Sequence, residues 1–482
     1  MLDSRAIQIA FGVALLPVVA LAQNAPKTPP PTAWTWMGGS TTADQAGNYG
    51  TLNKAAASNV PGARNEAVTF TDSQNLWLFG GEGYDAAGVS GNLGDLWKYN
   101  MATNQWTWVS GSSLTDHTLG AIPGVYGTKG VAAAANNPGT RDAAIGWTDS
   151  TTGNLWVFGG YGLDTNGKWG LYNDLWQYNT STNLWTWVSG SNVIGDQGGV
   201  SGLYDAAPGT NYPGSRNWAQ SWSDSNGNLW LFGGYGADGV GNGGLLNDLW
   251  EFTPSTGQWA WVSGSKQASQ PGVYGTLNQP AATNVPGARN QAVTFTDKNG
   301  NLWLYGGQGF DSAGISGNLG DLWMFNTSRK QWTWVSGSNV TDHVLGALPG
   351  TYGTQGVAAA GNNPGTRDAA LGWADSSGNL WLFGGYGIDP VGTFGFYNDL
   401  WEFNPSTNQW TWVSGDSTIG GFYGRAGVYG TLGTAAASNN PGSRIWSGNW
   451  TDNHGNFWLL GGYGFDGLGN GHGGLLNDLW KY

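Results

Sequence analysis

The chain reads as an all-β protein assembled from six like units, and three observations give that reading. Asp-Leu-Trp recurs at Asp95, Asp174, Asp248, Asp321, Asp399 and Asp478, at intervals of 73 to 79 residues. A Gly-Gly pair closes an aromatic-rich run at Gly80, Gly159, Gly233, Gly306, Gly384 and Gly461. Trp-x-Trp appears at Trp34, Trp106, Trp185, Trp259, Trp332 and Trp410. A fixed period sets the architecture before any local propensity is weighed. No segment carries a sustained helical period.

One unit parses into four short strands bounded by Gly, Asn, Asp and Ser. Strand a starts at Arg64 (RNEAVTF), and a polar turn with Asp72 follows. Strand b is Leu76 to Phe79, ending in Gly80-Gly81. A loop of about a dozen residues leads to strand c, Leu96 to Tyr99, and the turn MATN leads to strand d, Trp106 to Val109. A hydrophobic strand ending in Gly-Gly, then an aromatic strand, a short turn and a Trp strand make up the kelch signature. From roughly residue 33 to 482 the chain resembles the kelch-repeat β-propellers, the group that includes the central domain of galactose oxidase. The resemblance implies a six-bladed kelch-type β-propeller. It implies little about activity, because propellers host many functions.

The ends of the chain fit that expectation. Trp34-Thr35-Trp36 is a strand d without its a, b and c, and the last unit, Arg444 to Tyr482, has a, b and c but no d. The N-terminal strand is therefore expected to close the last blade and remove two exposed edges. A second period lies above the first. VPGARNEAVTF at Val60 returns as VPGARNQAVTF at Val285, and NNPGTRDAAIGW at Asn136 returns as NNPGTRDAALGW at Asn362. Units 1, 2 and 3 match units 4, 5 and 6 at an offset of 225 to 230 residues, so the chain reads as a doubled three-blade half. In an up-and-down blade the a–b and c–d turns share one face. The long b–c loops and the d–a connectors share the other, which is where binding is expected.

Composition narrows the function. Of 31 Trp, 24 fall at the repeated positions and read as core. Charged residues are 10% and the net charge is −13, with no basic run, which excludes a nucleic-acid partner. The absence of Cys excludes disulfides, thiolate chemistry and the cysteine–tyrosine copper cofactor of galactose oxidase. No cofactor and no metal is expected. Residues 1–22 read as a signal peptide: Arg5, an apolar run from Ala6 to Val19, and the A-x-A site Ala20-Leu21-Ala22. Residues 23–32 read as a Pro-rich linker and 33–482 as the propeller domain. A secreted or periplasmic monomer is expected, with no membrane span after cleavage.

Candidate site residues come from the inner strands. Arg64, Arg141, Arg216, Arg289, Arg367 and Arg444 each open a strand a, expected near the channel mouth on the long-loop face. Six guanidinium groups there could hold a carboxylate or sugar acid. The competing reading is that each ties its own blade's loop to the next. Glu66, matched by Gln291, and Asp142 and Asp368, which follow the strand-a Arg, break the repeat or add charge to it; Glu82 matches Gln308. Glu66 with Asp142 and a neighbouring Arg is the one asymmetric cluster of the kind catalysis requires, although strand alternation could separate them. The turn Asp series from Asp72 reads as structural. The b–c loop series Asp85, Asp164, Asp238, Asp311, Asp389 and Asp466 lacks the spacing of a calcium loop. Asp116-His117 and Asp342-His343 are candidate acid–base pairs, with solvated loop His as the plainer reading.

Together these features predict a secreted, non-enzymatic protein that presents long loops to a protein or glycan ligand, with no catalytic residues assigned. The alternative is a sugar-acting enzyme, since six-bladed kelch proteins of the periplasm include sialic acid epimerases.

Overall fold

The computed structural model describes residues 33–195, 202–204, 210–469 and 473–482. The signal and linker stretches, Asp205 and His472 lie outside the described residues. The architecture is all-β and propeller-like. Small antiparallel sheets follow one another along the chain, and the described residues hold one short 3-10 turn, Gly421–Tyr423.

In the first unit strand a is two pieces, Arg64–Asn65 and Val68–Thr71, both paired with strand b, Asn75–Tyr84. Strand b pairs with strand c, Ser90–Asn100, and c with strand d, Gln105–Ser110. Gly80 and Gly81, at φ 65° and 93°, form a bulge inside strand b. Strand b does not end there, contrary to the sequence reading. Beyond the bulge Glu82 pairs with Asn92, and Tyr84 with Ser90, so most of the expected b–c loop is a hairpin extension. The other units repeat this plan. In units 2, 3 and 5 the bulge divides the hairpin into two short ladders, as at Leu155–Phe158 and Tyr161–Leu163.

The inner strand pieces contact one another in cyclic order. Val68–Thr71 meets Ile145–Thr148, which meets Gln220–Ser223, then Val293–Thr296, Leu371–Ala374 and Gly448–Thr451, which returns to Val68–Thr71. The N-terminal strand Thr35–Gly38 pairs antiparallel with the C-terminal strand Gly474–Lys481, with Thr35 opposite Lys481 and Trp36 opposite Trp480. Trp34 is buried among Trp373, Phe383 and Tyr482. The core lies between successive sheets, where strand-b and strand-c Trp, Leu and Phe interdigitate. Indoles also bond across units: Trp147 Nε1 donates to the Trp230 carbonyl and Trp450 Nε1 to that of Trp77, each at 3.0 Å. The connectors do not remain on one face. Ala56 forms a bridge with Trp106, Ala133 with Trp185, Ala281 with Trp332 and Ala359 with Trp410, so these connectors sheathe outer edges.

The six arginines are the clearest correction. Arg64, Arg141, Arg216, Arg289, Arg367 and Arg444 are all at most 2% exposed, inside their own units rather than at the mouth. Each makes a two-pronged bond to the Asp of Asp-Leu-Trp; Arg64 Nη1 and Nη2 lie 2.7 and 2.8 Å from the Asp95 oxygens. The same pairing joins Arg141 to Asp174, Arg216 to Asp248, Arg289 to Asp321, Arg367 to Asp399 and Arg444 to Asp478. Arg64 Nη1 also donates to the Gly80 carbonyl and Nε to that of Gly62, so its donors are committed. The Asp carboxylate further accepts from a connector tyrosine and a strand-c indole, Tyr49 Oη and Trp97 Nε1, both at 2.6 Å. Burial alone would push the Asp95 and Asp321 carboxyls up, but the adjacent guanidinium groups hold both below the usual carboxylate range.

Two stability outcomes follow from this frame. Asp174→Asn leaves the buried Arg141 charge without its partner and lowers the unfolding free energy by about 3–5 kcal/mol in a urea titration. Trp34→Ala removes a buried aromatic from the strand that joins the two ends, and lowers it by a similar 3–5 kcal/mol or so.

Candidate functional site

Each inner strand is interrupted two residues after its arginine. Glu66, Ala143, Trp218, Gln291, Ala369 and Trp446 sit there, with φ of 54°, 49°, 50°, 54°, 52° and 55°. Left-handed backbone at a non-glycine residue costs of order 1–3 kcal/mol and persists only where the surroundings enforce it. Here a ring of hydrogen bonds enforces it. Ala143 N donates to the Glu66 carbonyl, Trp218 N to Ala143, Gln291 N to Trp218, Ala369 N to Gln291, Trp446 N to Ala369, and Glu66 N to Trp446, at 3.0 to 3.2 Å. Six residues from six units thus form a closed neck. Glu66 stands opposite Gln291 in this ring, Trp218 opposite Trp446, and Ala143 opposite Ala369.

A cavity of about 180 Å³ lies at the neck, and all six units line it. Its polar walls come from Glu66, Trp218, Gln220, Gln291, Trp446 and Ser447. Gln220 is 2% exposed, and its Oε1 has no hydrogen-bond partner although its Nε2 donates to the Trp218 carbonyl at 2.9 Å. Trp446 Nε1 is likewise buried without a partner. Burial lifts the Glu66 carboxyl from an ordinary value of 4.5 to about 8, and the charges of Asp142 and Glu82 add to the rise; the Trp218 indole opposes it. Burial and the Glu82 charge lift Asp142 to about 7, against the Asn92 amide. The Glu66 carboxyl is thus within electrostatic reach of Asp142 and Glu82, whereas the arginine that the sequence reading set beside them is held by its own aspartate. Asp368 is raised by burial to about 7 but belongs to the opposite half, paired with Tyr386.

Above the neck, on the long-loop side, the residue after each Gly-Gly forms a second circle. It reads Glu82, Tyr161, Tyr235, Gln308, Tyr386 and Tyr463, in register with Asn65, Asp142, Asn217, Asn290, Asp368 and Ile445 of the inner strands. Glu82 and Gln308 are exposed, Tyr161 and Tyr235 are exposed, and Tyr386 and Tyr463 are half-buried. Further aromatics join them: Trp169 stacks on Tyr161 at 5.5 Å, and Phe396 meets Tyr463 edge-on at 5.9 Å. The Oδ1 atoms of Asn65, Asn217 and Asn290 are buried without partners. Sequence reasoning missed the tyrosines because Gly-Gly was read as the end of strand b. The next residue in each repeat carried the information. None of the six arginines lines the neck, and neither does any Lys or His.

On the other side of the neck the channel widens to about 480 Å³ and is lined by hydroxyls such as Thr69, Thr71, Ser221 and Ser223. Several serve the fold. Thr69 Oγ1 bonds the Asn449 carbonyl at 3.0 Å, and Ser221 Oγ that of Gly146 at 3.3 Å. The loop carboxylates are also occupied. Asp85 accepts from the N–H groups of Ala87, Val89 and Thr115 and from His117 Nε2 at 2.7 Å. His117 thus pairs with Asp85 and His343 with Asp311, while Asp116 and Asp342 cap their own turns.

No family model and no curated protein matches the chain. Among solved structures, one titled "Structure of YjhT" aligns over 87% of this chain and 95% of that one, at 15% identity and a TM-score of 0.48.

The raised carboxyls set a pH dependence. Glu66, Asp142 and Asp368 hold protons in the folded chain that they release when unfolded, so their contribution to stability is full below about pH 4 and is lost as pH rises through 7 to 8. Asp95 and Asp321 act in the opposite sense in acid. The thermal midpoint peaks near pH 5 and declines toward pH 8. Glu66→Gln reduces that decline, and an unchanged slope in a melting series would remove Glu66 from the account.

Proposed function

We propose that the chain is an exported, six-bladed kelch-type propeller. In this reading residues 1–22 are a cleaved signal, 23–32 a linker and 33–482 a doubled three-blade domain whose last blade is completed by the N-terminal strand. Its function is to bind a glycan without transforming it, at the neck and mouth on the long-loop face. The observation that carries this reading is the neck cavity, where two indoles from opposite units stand among carboxyl and amide groups, some of them unpartnered. Sugars offer apolar C–H faces to aromatic rings and hydroxyls to such groups. The tyrosine circle extends the same chemistry outward for further residues of a chain. The fold-wide repetition suits a scaffold, and the variation at the neck and mouth suits one asymmetric ligand. Trp446→Ala abolishes binding on a glycan array while the far-ultraviolet spectrum is retained. Absence of any bound glycan for the unaltered chain overturns the reading.

A second reading, an enzyme acting on sugars, draws on Glu66 and Asp142. Two neighbouring carboxyls that titrate near neutrality suit a general acid and base. The neck offers no free cation for an acidic sugar, which does not suit a sialic acid. Conversion of a bound sugar followed by nuclear magnetic resonance, lost in Glu66→Gln, would favour this reading over simple binding.

A further inference from the structure

We propose that the ligand seated at the neck carries a positively charged nitrogen, held between the Glu66 carboxyl and the Trp218 and Trp446 indoles, so that the site selects an amino sugar over neutral or acidic ones. The inference rests on the glycan-binding reading above and adds the charge of the ligand to it.

Glu66 has Ala143 and Trp446 as its neighbours in the ring, and Gln291 stands opposite. The charged groups that bear on it are Asp142 on the next inner strand and Glu82 on its own unit's strand b, and both are acids. These three carboxyls act on one another electrostatically, and every arginine that opens an inner strand is committed to its own buried aspartate. Such a cluster is poor ground for an anion and ready ground for a cation.

The acids alone would not make a site. The second observation is Gln220, whose Oε1 is buried, lines the same cavity and has no partner. A cationic nitrogen brings positive charge and no acceptor, which answers both a carboxylate and a lone amide oxygen. The third is aromatic. Indole faces attract cations, and more strongly where water is excluded. Trp218 and Trp446 occupy opposite positions of the ring, and both line the cavity. The cavity, about 180 Å³, admits one sugar ring, with the rest of an oligomer passing to Tyr161, Tyr235, Tyr386 and Tyr463.

The exchange balances simply. Below about pH 8 the Glu66 carboxyl of the free protein holds a proton. When the ammonium group enters, Glu66 becomes a carboxylate paired with it, the proton passes to solvent, and no covalent bond of the sugar changes. Binding is therefore linked to proton release and tightens as pH rises.

Calorimetry with two chitotriose derivatives tests this. One is fully N-acetylated and neutral, and the other is N,N,N-trimethylated, with a charge that does not titrate. At pH 8 the trimethylated oligomer binds about tenfold or more tighter than the neutral one. Its affinity falls about tenfold by pH 6, and buffers of different ionisation enthalpy report about one proton released. Glu66→Gln brings the two affinities together. Equal affinities in the unaltered protein would overturn the cation inference and leave the glycan reading standing. Binding of neither oligomer, beside an empty glycan array, would remove both. A preference for charge that survives Glu66→Gln would overturn the placement at Glu66.

Discussion

The buried guanidinium–carboxylate pair is the interaction on which the rest of the structure depends. In each unit one aspartate gathers the inner strand through its arginine, the connector through a tyrosine hydroxyl, and strand c through an indole. The same arginine takes the carbonyl of the first glycine at the bulge, and so fixes where strand b turns. Burying two charges is costly, and hydrogen bonding on both sides offsets it. Units 2 and 5 differ: Arg141 and Arg367 bond the Pro138 and Pro364 carbonyls and lie over the rings of Tyr172 and Tyr397, while their Nε atoms are buried without a partner. Because every inner strand starts from the same anchor, the residue two positions later arrives in register with its five counterparts. The neck is a consequence of that registration.

Symmetry in the anchors permits asymmetry in the centre. The neck bonds use backbone only, so side chains there are free of the duty that fixes the arginines. Glutamate, alanine and tryptophan occupy the first three positions, and glutamine, alanine and tryptophan the last three. The mouth varies in the same way, with Glu82 against Gln308 and tyrosines between. The anchoring arginines and the varied neck residues thus lie two positions apart on one short strand, the former repeated in every unit and the latter not.

Much of this was legible in the sequence, and what was not has physical causes. The strand plan and the contact of the two chain ends follow from recurring motifs, and Glu66 stood out because it breaks one. The fate of the arginines was harder to read. Arg64 and Asp95 are far apart in sequence, and nothing local distinguishes a guanidinium at a channel mouth from one folded back on strand c. Recurrence of both at a fixed spacing was the available clue. Gly80-Gly81 looked like a terminator because glycine ends strands, yet at φ 65° and 93° it redirects one instead. That error turned a hairpin into a loop and hid Tyr161 and Tyr235. The left-handed kink was invisible because Glu, Ala, Trp and Gln share no tendency toward it. Cyclic closure imposes it, and closure is a property of the whole molecule.

The neck ring has an electrostatic consequence. All six of its bonds run the same way round, each unit donating to the one before it around the ring. The peptide dipoles therefore circulate, and their components in the plane of the ring cancel. Pores that strip water from bare metal ions do so with carbonyl oxygens turned inward. Here the six carbonyls are already engaged as acceptors. The neck backbone thus has no free carbonyl to offer at these positions. Discrimination by charge at this point is left to side chains, where one substitution in one unit can alter it without disturbing the closure of the ring.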